Sequence, residues 1–240
     1  MLQGYSGSTL RRQGELVEKV SSDESFTGSA ERQRDLIALS QHIPVIPRIA
    51  RIAGPSIFME YVDGQEDLTL RNAPRAGKAL RLLHDQRGYP HLCMTGIAWL
   101  IELANNNLAE WNLQPRVSTE LVREYPADAL IHSEPTQLIE KQDGSIVLID
   151  IEGMGMGSRY QDLGFVYWGM TLGGQPEVYE AFIQGYQSLS VEVELRRVKQ
   201  IANLISIAYV GFALAFAGRE EAEKRMQWGL QFFASTRLTP

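Results

Sequence analysis

The sequence predicts an α+β protein in which a small unit of short strands and one helix precedes a larger, mainly helical unit. Three observations carry this. The first sixty residues contain short strand-like runs and a single amphipathic helix. From about residue 73 the apolar spacing changes to three and four, the helical period. One β-rich island, 129–151, interrupts the helices and folds back at Asp143-Gly144, a turn that joins antiparallel strands. A chain of 240 residues, 44% apolar and 22% charged, is long enough for one or two domains with a sizeable core. The same proportions exclude a disordered or collagen-like chain.

Taken in order, residues 1–9 are rich in Gly and Ser, and 15–20 suit a strand. Residues 30–41 predict a helix with Leu36, Leu39 and Ile43 on one face, ended by Pro44 and Pro47. Residues 56–62 are β-rich and close at Asp63-Gly64. Residues 75–86 place Ala76, Ala79, Leu80 and Leu83 on one stripe, 96–111 predict a second helix of this unit, and 117–124 a third. Three helices are expected between 176 and 235. The expected division is 1–62 for the first unit and 63–240 for the second.

Net charge is −6, and residues 1–60 hold seven basic and seven acidic side chains, so all of the excess lies in the second unit. That balance argues against nucleic acid as a partner and against a polybasic membrane patch. It suits either a plain solvated surface or a cationic substrate. The single cysteine, Cys93, excludes an internal disulfide and a cysteine zinc cluster, and the cytoplasm is the expected location. The first twenty residues contain no apolar run that reads as a signal peptide. Ile201 to Gly218 lacks charge over eighteen residues, the lower edge for a membrane span; a buried core helix is the expectation, since Asn203, Ser206 and Tyr209 dilute it.

The strongest local signal is Ile146-Val-Leu-Ile-Asp-Ile-Glu152, an apolar strand ending in Asp150 and Glu152. A period of two puts both carboxylates on one face, where they can hold a hard cation such as Mg2+ beside phosphates; a strand end turning into solvent is the plainer alternative. Upstream, an apolar strand delivers His132 and Glu134 into a Pro-containing loop as candidate catalytic groups, although a lone His beside an apolar run is more often a packed core group than a catalyst. Asp162 suits a helix N-terminus. Gly4, Ser6 and Gly7 lie in a segment able to cover a phosphate with backbone N–H groups, or in a plain terminus. Lys19 on a strand and Glu31 on the next helix could orient phosphates as a pair, or be two surface charges.

In this order the features resemble the aminoglycoside phosphotransferase/choline kinase group, relatives of the protein kinases. The resemblance spans about residues 4–170. It rests on Phe58-Met-Glu-Tyr-Val-Asp-Gly64, Lys78-Ala-Leu-Arg-Leu-Leu-His84, Ile149-Asp-Ile-Glu152 and Tyr160-Gln-Asp-Leu163. It implies a two-lobed, protein-kinase-like fold with a small antiparallel sheet lobe and a larger helical lobe. It also implies ATP and Mg2+ as cofactors, and an unidentified small-molecule acceptor as partner. Lys19, held by Glu31, would pair the nucleotide's phosphates, and Glu60, Tyr61 and Val62 would form the hinge against the adenine. Asp150 would bind Mg2+ with Glu152 close by, and Asp162 would brace the catalytic loop through its backbone amides.

The catalytic loop departs from the family. His-Gly-Asp, with an Asn five residues past the Asp, is expected. The chain has His132-Ser133-Glu134, with Ile139 at the Asn position and Gln137, three residues on, as the nearest amide and the candidate to join Asp150 on Mg2+. Glu is one methylene longer than Asp, and the loop is shorter by about two residues. Two functions follow from the resemblance: a phosphotransferase acting on a small-molecule hydroxyl, with Glu134 as base, or a pseudokinase that binds a nucleotide, metabolite or protein without transfer. Protein-kinase activity is disfavoured, since neither Asp-Phe-Gly nor Ala-Pro-Glu follows the metal strand.

Overall fold

The computed structural model describes residues 2–3, 8–21, 28–92, 96–114, 116–189 and 192–236. The N-terminal lobe is one antiparallel sheet with a helix laid against it. Its elements are β1 (Leu2–Gln3), β2 (Thr9–Gln13), β3 (Leu16–Val20), α1 (Ala30–His42), β4 (Ile49–Ala53) and β5 (Ser56–Glu60). The strand order is β1-β2-β3-β5-β4. The expected strands at 15–20 and 56–62 are β3 and β5, which sit side by side at the centre with Lys19 opposite Ile57. Their hairpin partners β2 and β4 were not legible, because Arg11, Arg12 and Arg51 interrupt any apolar alternation and face solvent. Helix α1 starts where Ser29 Oγ accepts the Arg32 amide, and it buries Leu36 and Leu39.

The second lobe begins with β6 (Gln65–Glu66), α2 (Ala73–His84), α3 (Gly96–Glu110) and the short α4 (Leu121–Glu124). Three short strands follow, β7 (Ala129–Ile131), β8 (Leu138–Glu140) and β9 (Ile146–Leu148), then a 3-10 turn (Ile151–Gly153) and β10 (Gly155–Gly157). It ends in α5 (Arg159–Leu172), α6 (Pro176–Gln187), α7 (Leu195–Ala208), α8 (Val210–Phe216), α9 (Arg219–Gly229) and α10 (Gln231–Thr236). The hairpin pairs Leu138 with Leu148, as the Asp143-Gly144 turn requires. Strand β10 pairs antiparallel with β7, Gly155 opposite Ile131. That pairing places the segment after Asp150 next to the loop that leaves β7, which puts the two acid-bearing loops side by side.

Backbone contact between α2 and α6 fixes the floor of this lobe. A Cβ on Gly77 would collide with the Phe182 carbonyl, and one on Gly185 with the Pro74 carbonyl. Only glycine at both places lets the helices cross this closely, and the crossing brings His84 against Tyr186. Behind the hairpin, buried Glu140 accepts from Arg71 (2.8 Å), Asn72 (3.3 Å) and Arg75, tying β8 to the start of α2.

Two expectations are corrected here. The region 176–235 holds five helices rather than three, and the stretch Ile201–Gly218 is not one buried helix. The chain breaks at Tyr209, where α7 and α8 are bent by 46°. Residues 201–208 are buried, but Phe212, Leu214 and Phe216 are 48%, 45% and 64% exposed. Tyr209 turns the chain because its ring is held among Trp99, Phe165, Trp168 and Phe212. Composition alone does not reveal such an anchor. Among the described residues no single helix is long and apolar enough to cross a membrane.

Candidate active site

The site forms where the β7 loop, the β9 loop and β3 converge. The β7 loop is braced from below. Asp162, fully buried in the first turn of α5, accepts the backbone amides of His132 and Ser133, both at 2.7 Å. Its Oδ2 also meets His84 Nε2 at 2.9 Å, and His84 Nδ1 lies 2.7 Å from the Tyr186 hydroxyl. A carboxylate only accepts, so His84 carries its proton on Nε2. One acid thus ties α5, α2 and α6 to the loop. Ser133 occupies the left-handed region at φ 83°, where the resembling family has glycine. Its hydroxyl donates to the Gly153 carbonyl at 2.8 Å, which joins the two loops.

The His132 ring is buried on all sides, and neither ring nitrogen makes a well-formed hydrogen bond. Burial lowers its pKa and keeps it neutral. The His132 backbone amide braces the loop through Asp162, and its ring lies sealed in the interior. Glu134 is half-buried, and burial, with Asp150 adding to it, raises its carboxyl above the usual range against the pull of Lys19.

The β9 loop is held from above. Ile149 N–H donates to the Gln137 carbonyl at 2.9 Å. Asp150 then turns into the left-handed region, φ 68° and ψ 48°. The Lys19 ammonium pairs with Asp150 Oδ1, and with Glu152 Oε1 at 2.8 Å. Burial opposes the lysine's charge, but the two carboxylates outweigh it and raise its pKa. Lys19 likewise overcomes burial at Asp150 and lowers that acid. Glu152 is sealed in. Burial first, and Asp150 next to it, push it up to about 7 in spite of Lys19.

Glu31 does not reach Lys19. Its side chain is 47% exposed and pairs with Arg34 at 3.3 Å. The neighbouring Arg32 points inward instead, and its Nη2 donates to the carbonyls of Glu152 (2.6 Å) and Met154 (2.9 Å). Arg32, one position along the helix from Glu31, gave no signal in the sequence. The Gln137 side chain is exposed, while its amide donates to the Glu134 carbonyl at 3.0 Å. At the end of β5, Glu60 N–H donates to the Arg48 carbonyl and Tyr61 N–H to the Glu15 carbonyl. The Arg12 guanidinium lies 3.6 Å above the Tyr61 ring. Gly4, Ser6 and Gly7 lie outside the described residues.

Among the described residues no cluster of three His, Cys, Asp or Glu side chains forms a metal cage. Mg2+ needs no such cage, since it takes one or two carboxylates together with substrate phosphates. The donor set fits that: Asp150 is 37% exposed, and Glu152 Oε2 is buried without a hydrogen-bond partner. A cavity of about 710 Å3 opens beside the same loops, reached by Thr136, Gln137 and Ile149, and edged by Glu66, Asp67 and Glu177.

This is the two-lobed architecture of protein-kinase-like phosphotransferases, and comparison with solved structures shows the same fold. Choline kinase from Streptococcus pneumoniae superposes with a TM-score of 0.67 at 15% identity, over 98% of this chain and 92% of that one. The aminoglycoside-3'-phosphotransferase of type VIII gives 0.61 at 20% identity, over 86% and 91%. The AMP-bound complex of spectinomycin phosphotransferase gives 0.59 at 14%, over 92% and 86%. No family model matches the sequence, and no curated protein matches it.

Proposed function

We propose that the protein is a nucleotide-dependent phosphotransferase acting on a hydroxyl of a small molecule. The observation that carries this is the convergence of Lys19, on β3, with Asp150 and Glu134, on two loops that Asp162 and Ser133 hold together. Neighbours of the same fold are phosphotransferases and kinases of small molecules, one of them solved with AMP, which supports ATP as donor. Lys19 would position the phosphates, and the Val62 amide would serve the adenine, as those of Glu60 and Tyr61 are already engaged. Asp150, with Glu152 Oε2 nearby, would hold Mg2+, which neutralises charge on the transferring group. Glu134 would accept the acceptor's proton; a carboxyl raised by burial is a stronger base than one in water. Three acidic residues lining the cavity, Glu66, Asp67 and Glu177, suit an amine-bearing acceptor. The lobe boundary is proposed at 62/63.

A second reading, a binding protein without transfer, is favoured by one observation. The Lys19 ammonium already pairs with both acids of the β9 loop, so the carboxylates that would hold a metal carry a resident cation. Single-turnover transfer from ATP with Mg2+ to a panel of amino sugars, amino alcohols and sugars separates the two. Transfer to any of them supports the enzyme. Tight nucleotide binding with none supports the second reading.

A further inference from the structure

The lysine of a phosphotransferase must be held in place before phosphates arrive, and the side chain expected to hold it faces away. Glu31 is exposed and engaged with Arg34. Two carboxylates contact Lys19 instead, and they differ in kind. Asp150 is 37% exposed, on the open side of the cleft. Glu152 is 3% exposed, with Oε1 2.8 Å from Nζ, sealed behind the lysine. The residue bearing this buried acid is itself anchored from the N-terminal lobe, where Arg32 donates to its carbonyl and to that of Met154.

We propose that Glu152 is the positioning residue of Lys19, and that α1 acts on the site through Arg32, by fixing the turn that carries Glu152, instead of through Glu31. The lysine is then held by the loop that follows the metal-binding position. Any shift of α1 moves the Glu152 backbone first and the ammonium second. This assignment rests on the nucleotide reading above for its functional consequence, but the clamp itself does not.

Coulomb's law supplies a test that distinguishes a clamp from an ordinary acid near a ligand. Removing an anion beside phosphates should by itself tighten nucleotide binding. If Glu152 works through Lys19, removing its charge does the opposite, and only while the lysine is present. The experiment titrates a fluorescent ADP analogue in EDTA, and again with Mg2+, against wild type, Glu152→Gln, Lys19→Met and the double variant. Without Mg2+, Glu152→Gln should weaken binding on the order of tenfold with Lys19 in place, the scale of coupling between contacting groups. With Lys19→Met the same change should not weaken binding at all. Arg32→Ala should reproduce about threefold of the loss, and Glu31→Gln should stay within about twofold, as an exposed substitution does.

Equal effects in both lysine backgrounds would overturn the proposal, as would a loss seen only with Mg2+, which would make Glu152 a metal ligand alone. Urea unfolding of the same four proteins without nucleotide tests the clamp by itself, and zero coupling between Lys19 and Glu152 would remove it. Intact coupling in a wild type that binds no nucleotide would overturn the nucleotide reading and the functional half of this proposal. Glu152→Asp, which keeps the charge and shortens the reach, supplies the cycle if the amide variant does not fold.

Discussion

The two acid-bearing loops of the cleft are built alike and supported differently. Each contains a non-glycine residue in the left-handed region, Ser133 in one and Asp150 in the other. The β7 loop is fastened within its own lobe, by Asp162 to two amides and by the Ser133 hydroxyl to Gly153. The β9 loop is fastened from the other lobe, its acidic side chains by Lys19 and the carbonyls of Glu152 and Met154 by Arg32. Glu134 therefore sits on a loop fastened within the helical lobe, while Asp150 and Glu152 are tied to the N-terminal lobe as well.

The harshest way to break this contrast is to remove the internal brace. Asp162→Ala strands the buried His132 amide, the half-buried Ser133 amide and His84, and should cost about 3–5 kcal/mol of stability by urea denaturation. A loss below about 1 kcal/mol would show that the brace is dispensable. Next comes the base. In an active enzyme Glu134→Gln should lower turnover on the order of 10²–10⁴-fold while the fold persists; a change of a few fold in single-turnover transfer would dismiss Glu134.

The β9 loop should be the pH-sensitive partner. The Glu152 carboxyl sits at about 7 against an ordinary 4.5. Between those values the folded state binds more protons than the unfolded one. Stability should accordingly fall as pH rises from 4.5 toward 7. Glu152→Gln should flatten that slope in urea midpoints measured from pH 5 to 8, and an unchanged slope would assign it elsewhere. The smallest effect sharpens the comparison at Ser133. Ser133→Ala keeps the strained backbone and loses the bond to Gly153, costing about 1 kcal/mol. Ser133→Gly loses the same bond but relieves φ 83°, and should be near neutral. If the two variants are equally stable, the left-handed backbone stores nothing.

What could be read from the sequence follows the reach of each signal. Strand and helix periods located β3, α1, β5 and α2, and the order of Lys19, Glu134, Asp150 and Asp162 brought the cleft residues into view. What escaped were directions set by tertiary contact. Helical spacing does not say whether Glu31 or Arg32 turns inward, since adjacent residues lie about 100° apart. The conformation of Ser133 was hidden because serine reports no need for positive φ. The His84–Tyr186 contact depends on the close helix crossing at Gly77 and Gly185, two features 108 residues apart in the chain. The exposure of Phe212, Leu214 and Phe216 follows from a bend that apolar composition conceals.

The sequence distances spanned by the two sets of fastenings bear on the order of assembly during folding. The bond from the His132 amide to Asp162 closes 30 residues, whereas the Lys19–Asp150 pair closes 131. Closing the longer loop costs roughly 1 kcal/mol more in chain entropy. The helical lobe can therefore complete the base loop while the N-terminal sheet is still unattached. Chain entropy alone thus orders the fastenings, the base loop before the Lys19 pairs, and refolding followed at each of the two loops checks that order.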